Sequence, residues 1–216
     1  MPPVVQRKLL LATRNAHKVS EIVALLDGLP IEVSSLQDLG IAGLPGEDDV
    51  EVFSTFEQNA LAKARFYRMH TGLDVVADDS GLCVDALEGG PGVRSRRFAA
   101  DHGVNGGDQD AANNHCLLRL LEQVEDADRG AHYRCALACV TAERTLVVGG
   151  RVDGTITRSE RGCGGFGYDP LFLLPQYGQT FGELPPEVKA EISHRAEAIR
   201  SFRRWLEPLE PLEMSR

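Results

Sequence analysis

The chain has 216 residues, with 23 basic against 32 acidic side chains and a formal net charge of −9. That balance argues against a general nucleic-acid or anionic-membrane binder, so an anionic ligand has to be met by a few focused cations. With 43% hydrophobic and 25% charged residues, the sequence reads as an ordinary soluble protein that buries one sizeable core, a single domain over 1–216.

The elements alternate. A strand is expected over 9–12, a helix over 17–26 with Val19, Ile22, Val23 and Leu26 at helical spacing, and a second strand over 31–33, which makes a β-α-β opening. Ser54-Thr55-Phe56-Glu57 has the Ser-x-x-Glu form of a capping box, and the helix it starts runs to about His70, where Gly72 stops it. The apolar run 73–77 reads as a buried strand of about five residues that ends in Asp78-Asp79-Ser80-Gly81. An irregular loop over 88–92 follows, then a helix from Asp108 that buries Leu117, Leu118, Leu120 and Leu121. Strand-like segments at 131–140 and 145–148 flank a short turn and predict an antiparallel hairpin, so the sheet is mixed. The last third holds a glycine-rich loop over 162–167, a short strand over 171–174 and helical sequence over 186–206. The five cysteines, Cys83, Cys116, Cys135, Cys139 and Cys163, are odd in number and lack Cys-x-x-Cys spacing. They read as reduced thiols in a cytoplasmic protein. After Met1-Pro2-Pro3, the apolar stretch 8–12 is too short for a signal peptide or a membrane span.

Five segments carry chemistry. Two unit charges ~4 Å apart repel by roughly 4 kcal/mol at an effective dielectric of ~20, so Asp78 and Asp79 at a strand end call for a cation or a proton. Mg²⁺ is the natural guest, because it takes carboxylate oxygens and usually binds together with a substrate phosphate. Asp-Asp-Ser-Gly is equally plain turn chemistry. Thr13, Arg14, Asn15, Ala16, His17 and Lys18 lie between the first strand and helix, where backbone amides and the helix dipole suit an anion; the competing reading is a simple cap with a solvated lysine. Asn59 and Lys63 share a helix face that either points into a cleft or is only solvated. Gly162, Gly164 and Gly167 match G-x-G-x-x-G formally, but Tyr168-Asp169-Pro170-Leu171 leads into a strand, so this is no dinucleotide fingerprint. The loop is instead either a surface loop or a platform where Phe166 stacks on a planar ligand and Asp169 accepts from ring N–H groups. Lys189, His194 and Arg195 read as helix-end solvation or as a pocket that hydrogen-bonds carbonyl oxygens.

Together A-T-R-N-A-H-K, T-F-E-Q-N-A-L-A-K-A, A-D-D-S-G-L-C-V-D-A-L-E-G-G-P-G-V, G-G-F-G-Y-D-P-L-F and E-L-P-P-E-V-K-A-E-I-S-H-R resemble the inosine triphosphate pyrophosphatase family, the XTP/dITP diphosphatases. The resemblance implies an elongated mixed-sheet α/β fold with two lobes around a central nucleotide cleft, usually as a homodimer. It also implies Mg²⁺-dependent hydrolysis of ITP, dITP and XTP to the monophosphate and pyrophosphate. By the same resemblance, Asp79 is the general base and a metal ligand, Asp78 supports it, and Glu51 is the second ligand, although Val52-Phe53 replaces the Thr-Gly often found there. Residues 13–18 and Lys63 would hold the triphosphate, and Ser80 would bond near the reacting phosphate. Phe166, Gly167, Tyr168, Asp169, Lys189, His194 and Arg195 would read the base, rejecting adenine because its 6-amino donor meets opposing donors. Arg94-Ser95-Arg96-Arg97-Phe98 departs from the family's usual Tyr-Ser-Ala-Arg-Tyr, and no role is carried onto Arg94 or Arg96. A pyrimidine-directed or modified-nucleotide pyrophosphatase of the Maf type would need a different base pocket, and a non-catalytic nucleotide-binding module would have no use for Asp78-Asp79.

Overall fold

The computed structural model describes residues 7–104 and 106–206; the opening Met1-Pro2-Pro3 lies outside them. One seven-stranded sheet runs through the molecule, its strands in the spatial order 31–35, 7–11, 75–84, 130–140, 145–156, 172–174 and 179–180. Strand β1 (Arg7–Leu11), helix α1 (Ala16–Leu26) and strand β2 (Ile31–Ser35) form the expected parallel unit. Leu9, Leu10 and Leu11 are all buried, as suits a strand covered on both faces. Helix α2 (Phe56–Thr71) then leads to β3 (Val75–Val84), which is parallel to β1. Helices α3 (Phe98–Asp101) and α4 (Gln109–Leu120) precede the antiparallel strands β4 (Gly130–Val140) and β5 (Thr145–Ile156). Short strands β6 (Phe172–Leu174) and β7 (Gln179–Thr180) complete the sheet, and α5 (Pro186–Ile192) and α6 (His194–Leu206) close the described chain. No helix among the described residues is long and apolar enough to cross a membrane.

Several expectations shift. The largest concerns β3, which continues to Val84, so Asp78 and Asp79 lie mid-strand and not at a strand-end turn. Every residue from Val75 to Val84 is paired with β4, and this ladder overrides the local turn preference of Asp-Asp-Ser-Gly. β5 likewise outruns its expected end at 148, because it pairs with β4 as far as Thr155. The cap of α2 sits one residue later than the Ser-x-x-Glu pattern implies: Thr55 Oγ1 accepts the Gln58 amide at 3.3 Å and donates to the Gln58 side chain. In α4, Leu120 faces solvent while Asn113, Asn114 and Cys116 take the buried face with Leu117. The helical sequence 186–206 breaks at Ser193, which is extended.

Packing divides the interior. α2 covers one face of the sheet through Phe56, Ala60, Ala64 and Tyr67, packed against Val75 and Ala77. α1 and α6 cover the other through Ile22, Leu26, Ile199 and Phe202, packed against Leu9, Leu11 and Val76. α6 approaches β5 so closely at Gly150 that a methyl group there would overlap the His194 carbonyl and the Ala198 amide. A third cluster, built on Leu82, Phe98, Leu117, Tyr133, Tyr168 and Phe172, fills the far end of the sheet.

Candidate active site

Strand β1 ends at Leu11 opposite Val76. Beyond that point the chain turns into residues 12–18, and β3 keeps only β4 as a sheet partner. The opened edge borders a cavity of about 560 Å³. It is lined by Thr13, Arg14, Asn15, Lys18, Glu51, Lys63, Asp79, Ser80, Phe166, Gly167, Tyr168, Asp169, Lys189, His194 and Arg195. Segments as far apart in sequence as Thr13 and Arg195 therefore meet around one space. Ala16 and His17 are the expected site residues outside the lining; the His17 ring stacks on Phe166, with centroids 5.0 Å apart and planes 13° from parallel.

Adjacent residues of a strand project to opposite faces, so Asp78 and Asp79 do not act as one repelling pair. Their surroundings drive them apart chemically. Asp78 is fully buried and meets Lys18 Nζ at 2.9 Å, the Ser80 hydroxyl at 3.1 Å and Arg195 Nε at 3.5 Å. Burial opposes its ionisation, but Lys18, Arg195 and Lys63 outweigh burial and hold the carboxyl well below the usual range. Among the described residues no cation is in direct contact with Asp79; it accepts from Asn59 Nδ2 at 3.0 Å and from the Ser80 amide at 3.0 Å. Burial pushes it up to about 6, against the pull of Lys18 and Lys63 and with help from the Glu51 charge. One carboxylate is thus a fixed anion, and its neighbour is a base poised near neutrality.

The remaining charges form a chain across the cavity. Lys189 Nζ lies 2.6 Å from Asp169 and 2.7 Å from Glu21, and Arg195 reaches the other Glu21 oxygen at 2.7 Å and the Ser80 hydroxyl at 2.7 Å. Burial alone would raise Glu21, but Arg195 and Lys189 keep its carboxyl below the usual range. The sequence reading stopped at Lys18 and missed Glu21; the available signal was its place one turn on, at i+3 on the same helix face. His194 stacks on Tyr133 at 4.8 Å, and burial, aided by Arg195 and Lys189, drives its pKa well below 6.5. Its Nδ1 has no hydrogen-bond partner among the described residues.

Other expected site residues have partners within the protein. Asn15 Oδ1 takes the His17 and Lys18 amides at 2.9 and 3.1 Å, so the loop after β1 is a capped helix start whose amides already have a partner, while Lys18 turns inward to Asp78. Arg14 grips the 41–47 segment, donating to Glu47 at 2.6 and 2.8 Å and to the carbonyls of Ile41 and Ala42. Asp169 accepts from Lys189 and from the Phe166 amide at 2.8 Å, and so shapes the loop. Gly165, at φ +73°, leaves no room for a Cβ beside that carboxylate. The Tyr168 hydroxyl donates to the Ser95 carbonyl. Glu51 pairs with Lys63, and Arg97 donates to the Glu51 carbonyl at 3.1 Å.

The model of the Ham1 family matches residues 9–205. The chain belongs to the Ham1 family. It is 44% identical over 197 residues to a dITP/XTP pyrophosphatase of Bacillus licheniformis, covering 91% of this chain and 96% of that protein. A dITP/XTP pyrophosphatase of an Acidovorax species is 46% identical over 204 residues, 93% of each chain. Among solved structures, a HAM1 protein from Coxiella burnetii superposes with a TM-score of 0.80 at 36% identity, covering 93% of this chain and 98% of that one. The nucleoside-triphosphatase / dITP/XTP pyrophosphatase of Mycobacterium abscessus matches with a TM-score of 0.69 at 43% identity, covering 90% of this chain and 98% of that one.

Proposed function

We propose that this Ham1 protein hydrolyses non-standard purine nucleoside triphosphates, dITP, XTP and ITP, to the monophosphate and pyrophosphate, working as one catalytic unit over 1–216. The supporting observation is that a near-neutral carboxylate base, focused cations and an aromatic glycine-rich loop line one cavity.

Asp79 takes the proton from a water that attacks the α-phosphorus, and the α–β bridging oxygen leaves with the pyrophosphate. Lys18 and Lys63 stand beside the reacting centre and offset charge on the phosphates. The Phe166 face stacks on the purine, and the donors of Lys189, His194 and Arg195 meet its oxo edge. The donor set suits Mg²⁺: Glu51 and Asp79 both line the cavity and carry carboxylate oxygens. Two protein carboxylates, with water and substrate phosphate, are what this ion takes. When bound, Mg²⁺ supplies Lewis-acid polarisation of the phosphate oxygens. The reading includes a cytoplasmic homodimer, which light scattering on the full chain tests.

The deciding experiment is phosphate release from dITP, XTP, ITP, GTP, ATP and the pyrimidine triphosphates, with and without added inorganic pyrophosphatase. Phosphate appearing from dITP and XTP only when pyrophosphatase is added supports the reading. Equal turnover of ATP, or a preference for pyrimidines, overturns it.

A further inference from the structure

The cavity's cations fall into two classes. Arg14, Lys18, Lys63, Lys189 and Arg195 each face a carboxylate of the protein's own. Arg96 and Arg97 line the same cavity without a carboxylate partner among the described residues. Arg97 donates to the Glu51 carbonyl, whereas the Arg96 guanidinium makes no hydrogen bond or ion pair among the described residues. A triphosphate carries about four negative charges, more than Lys18 and Lys63 can offset while they also face Asp78 and Glu51, and the lining cations without a carboxylate partner among the described residues are Arg96 and Arg97.

The backbone under Arg96 is fixed. It belongs to the 3-10 turn Gly92–Arg97, where the Ser95 hydroxyl accepts the Leu82 amide at 2.9 Å and donates to the Gly92 carbonyl at 2.6 Å. The Ser95 carbonyl accepts from the Tyr168 hydroxyl at 2.8 Å, and the Arg96 carbonyl accepts from Asn113 Nδ2 at 3.2 Å. A long side chain without a protein partner thus projects from a backbone held on three sides. The turn packs on β3 just past Asp79, and Arg97 ties it to the backbone of Glu51. Both neighbours belong to the phosphate end of the cleft. Arg94, two residues earlier, points elsewhere and is neutralised by Asp101 at 2.7 Å.

We propose that Arg96 is a substrate-binding residue that takes the outer phosphates of the triphosphate through its guanidinium. The proposal rests on the nucleotide reading above and adds a residue that the sequence left without a role. The test is calorimetric binding of two probes, inorganic tripolyphosphate and IMP, to the full chain in magnesium-containing buffer, compared with Arg96→Ala, Arg96→Lys and Arg94→Ala. Arg96→Ala is expected to weaken tripolyphosphate about tenfold, the scale of one lost hydrogen bond to a charged group, and to leave IMP within about twofold. The dependence of tripolyphosphate affinity on salt should flatten in the same variant, Arg96→Lys should recover part of the affinity, and Arg94→Ala should behave as the parent. Unchanged tripolyphosphate binding by Arg96→Ala overturns the proposal, as does an equal loss for both probes. A parent protein that binds neither probe instead removes the nucleotide reading itself.

Discussion

Asp79 carries the most at the scale of single residues, and its environment makes opposite demands on activity and stability. Asp79→Asn keeps the shape and removes the base, so a loss of kcat of at least ~10² is expected. Its carboxyl is raised by burial to about 6 in the fold, against about 3.9 in the unfolded chain. Between those values the folded state binds the extra proton, so this group favours folding at low pH and the advantage is lost as pH rises through 6. Metal-free Asp79→Asn should therefore melt higher than the parent at pH 8, with the gain shrinking below pH 6 and vanishing only below about pH 4, under the unfolded value. A variant that is inactive and also less stable at pH 8 would contradict a desolvated carboxylate. Asp79, Lys18, Lys63 and Arg195 were legible in the sequence because their types and order carry the chemistry. Glu21 and Arg96 were not, since one needed two remote cations to give it meaning and the other needed the absence of any partner.

At the scale of elements, local signals located nearly every helix and strand and failed where tertiary pairing sets the length. The run 73–77 looked like a short strand because Asp, Ser and Gly disfavour strands, yet β4 pairs with all of Val75–Val84. The same mechanism extends β5 past its expected end at 148, because Gly149 and Gly150 disfavour strands locally yet stay paired with β4. Gly150 is there for packing: α6 lies against the strand at that position. Gly150→Ala should force α6 away from the sheet at a cost of about 1–3 kcal/mol, a fall in Tm of roughly 3–10 °C for a chain of this size. Because His194 and Arg195 open α6, the substitution should also raise KM for dITP. A Tm within a degree of the parent would mean that α6 does not sit that close to β5.

At the scale of the whole molecule, the charge chain running from Asp169 through Lys189, Glu21 and Arg195 to Asp78 and Lys18 joins α5, α1, α6 and β3. Such a network specifies geometry more than it adds net stability, because each ion gives up hydration. Removing one member is costly, since it leaves its buried neighbours with only part of their compensating charge. Glu21 faces both Lys189 and Arg195, so Glu21→Gln takes one of two carboxylates from each, leaving Lys189 with Asp169 and Arg195 with Asp78. A loss on the order of 2–4 kcal/mol is expected at pH 7, toward the low side of the cost of breaking a buried pair because Glu21 is partly solvated. The pH dependence identifies the cause. The carboxyls of Glu21, Asp78 and Glu47 are all held below their ordinary range in the fold. Their stabilisation is complete above the unfolded range near 4 and is lost as pH falls toward the depressed folded values. With Asp79 acting in the opposite sense near 6, the metal-free protein should be most stable close to pH 5. Glu21→Gln should lose most stability at pH 5 and above, and its deficit should shrink steadily as pH falls from 4 toward 2. Melting curves across that range are the measurement. A deficit that stays constant down to pH 2 would mean that the variant suffers from lost packing and not from lost charge, and the network would then be incidental to how α1 and α6 hold the cleft.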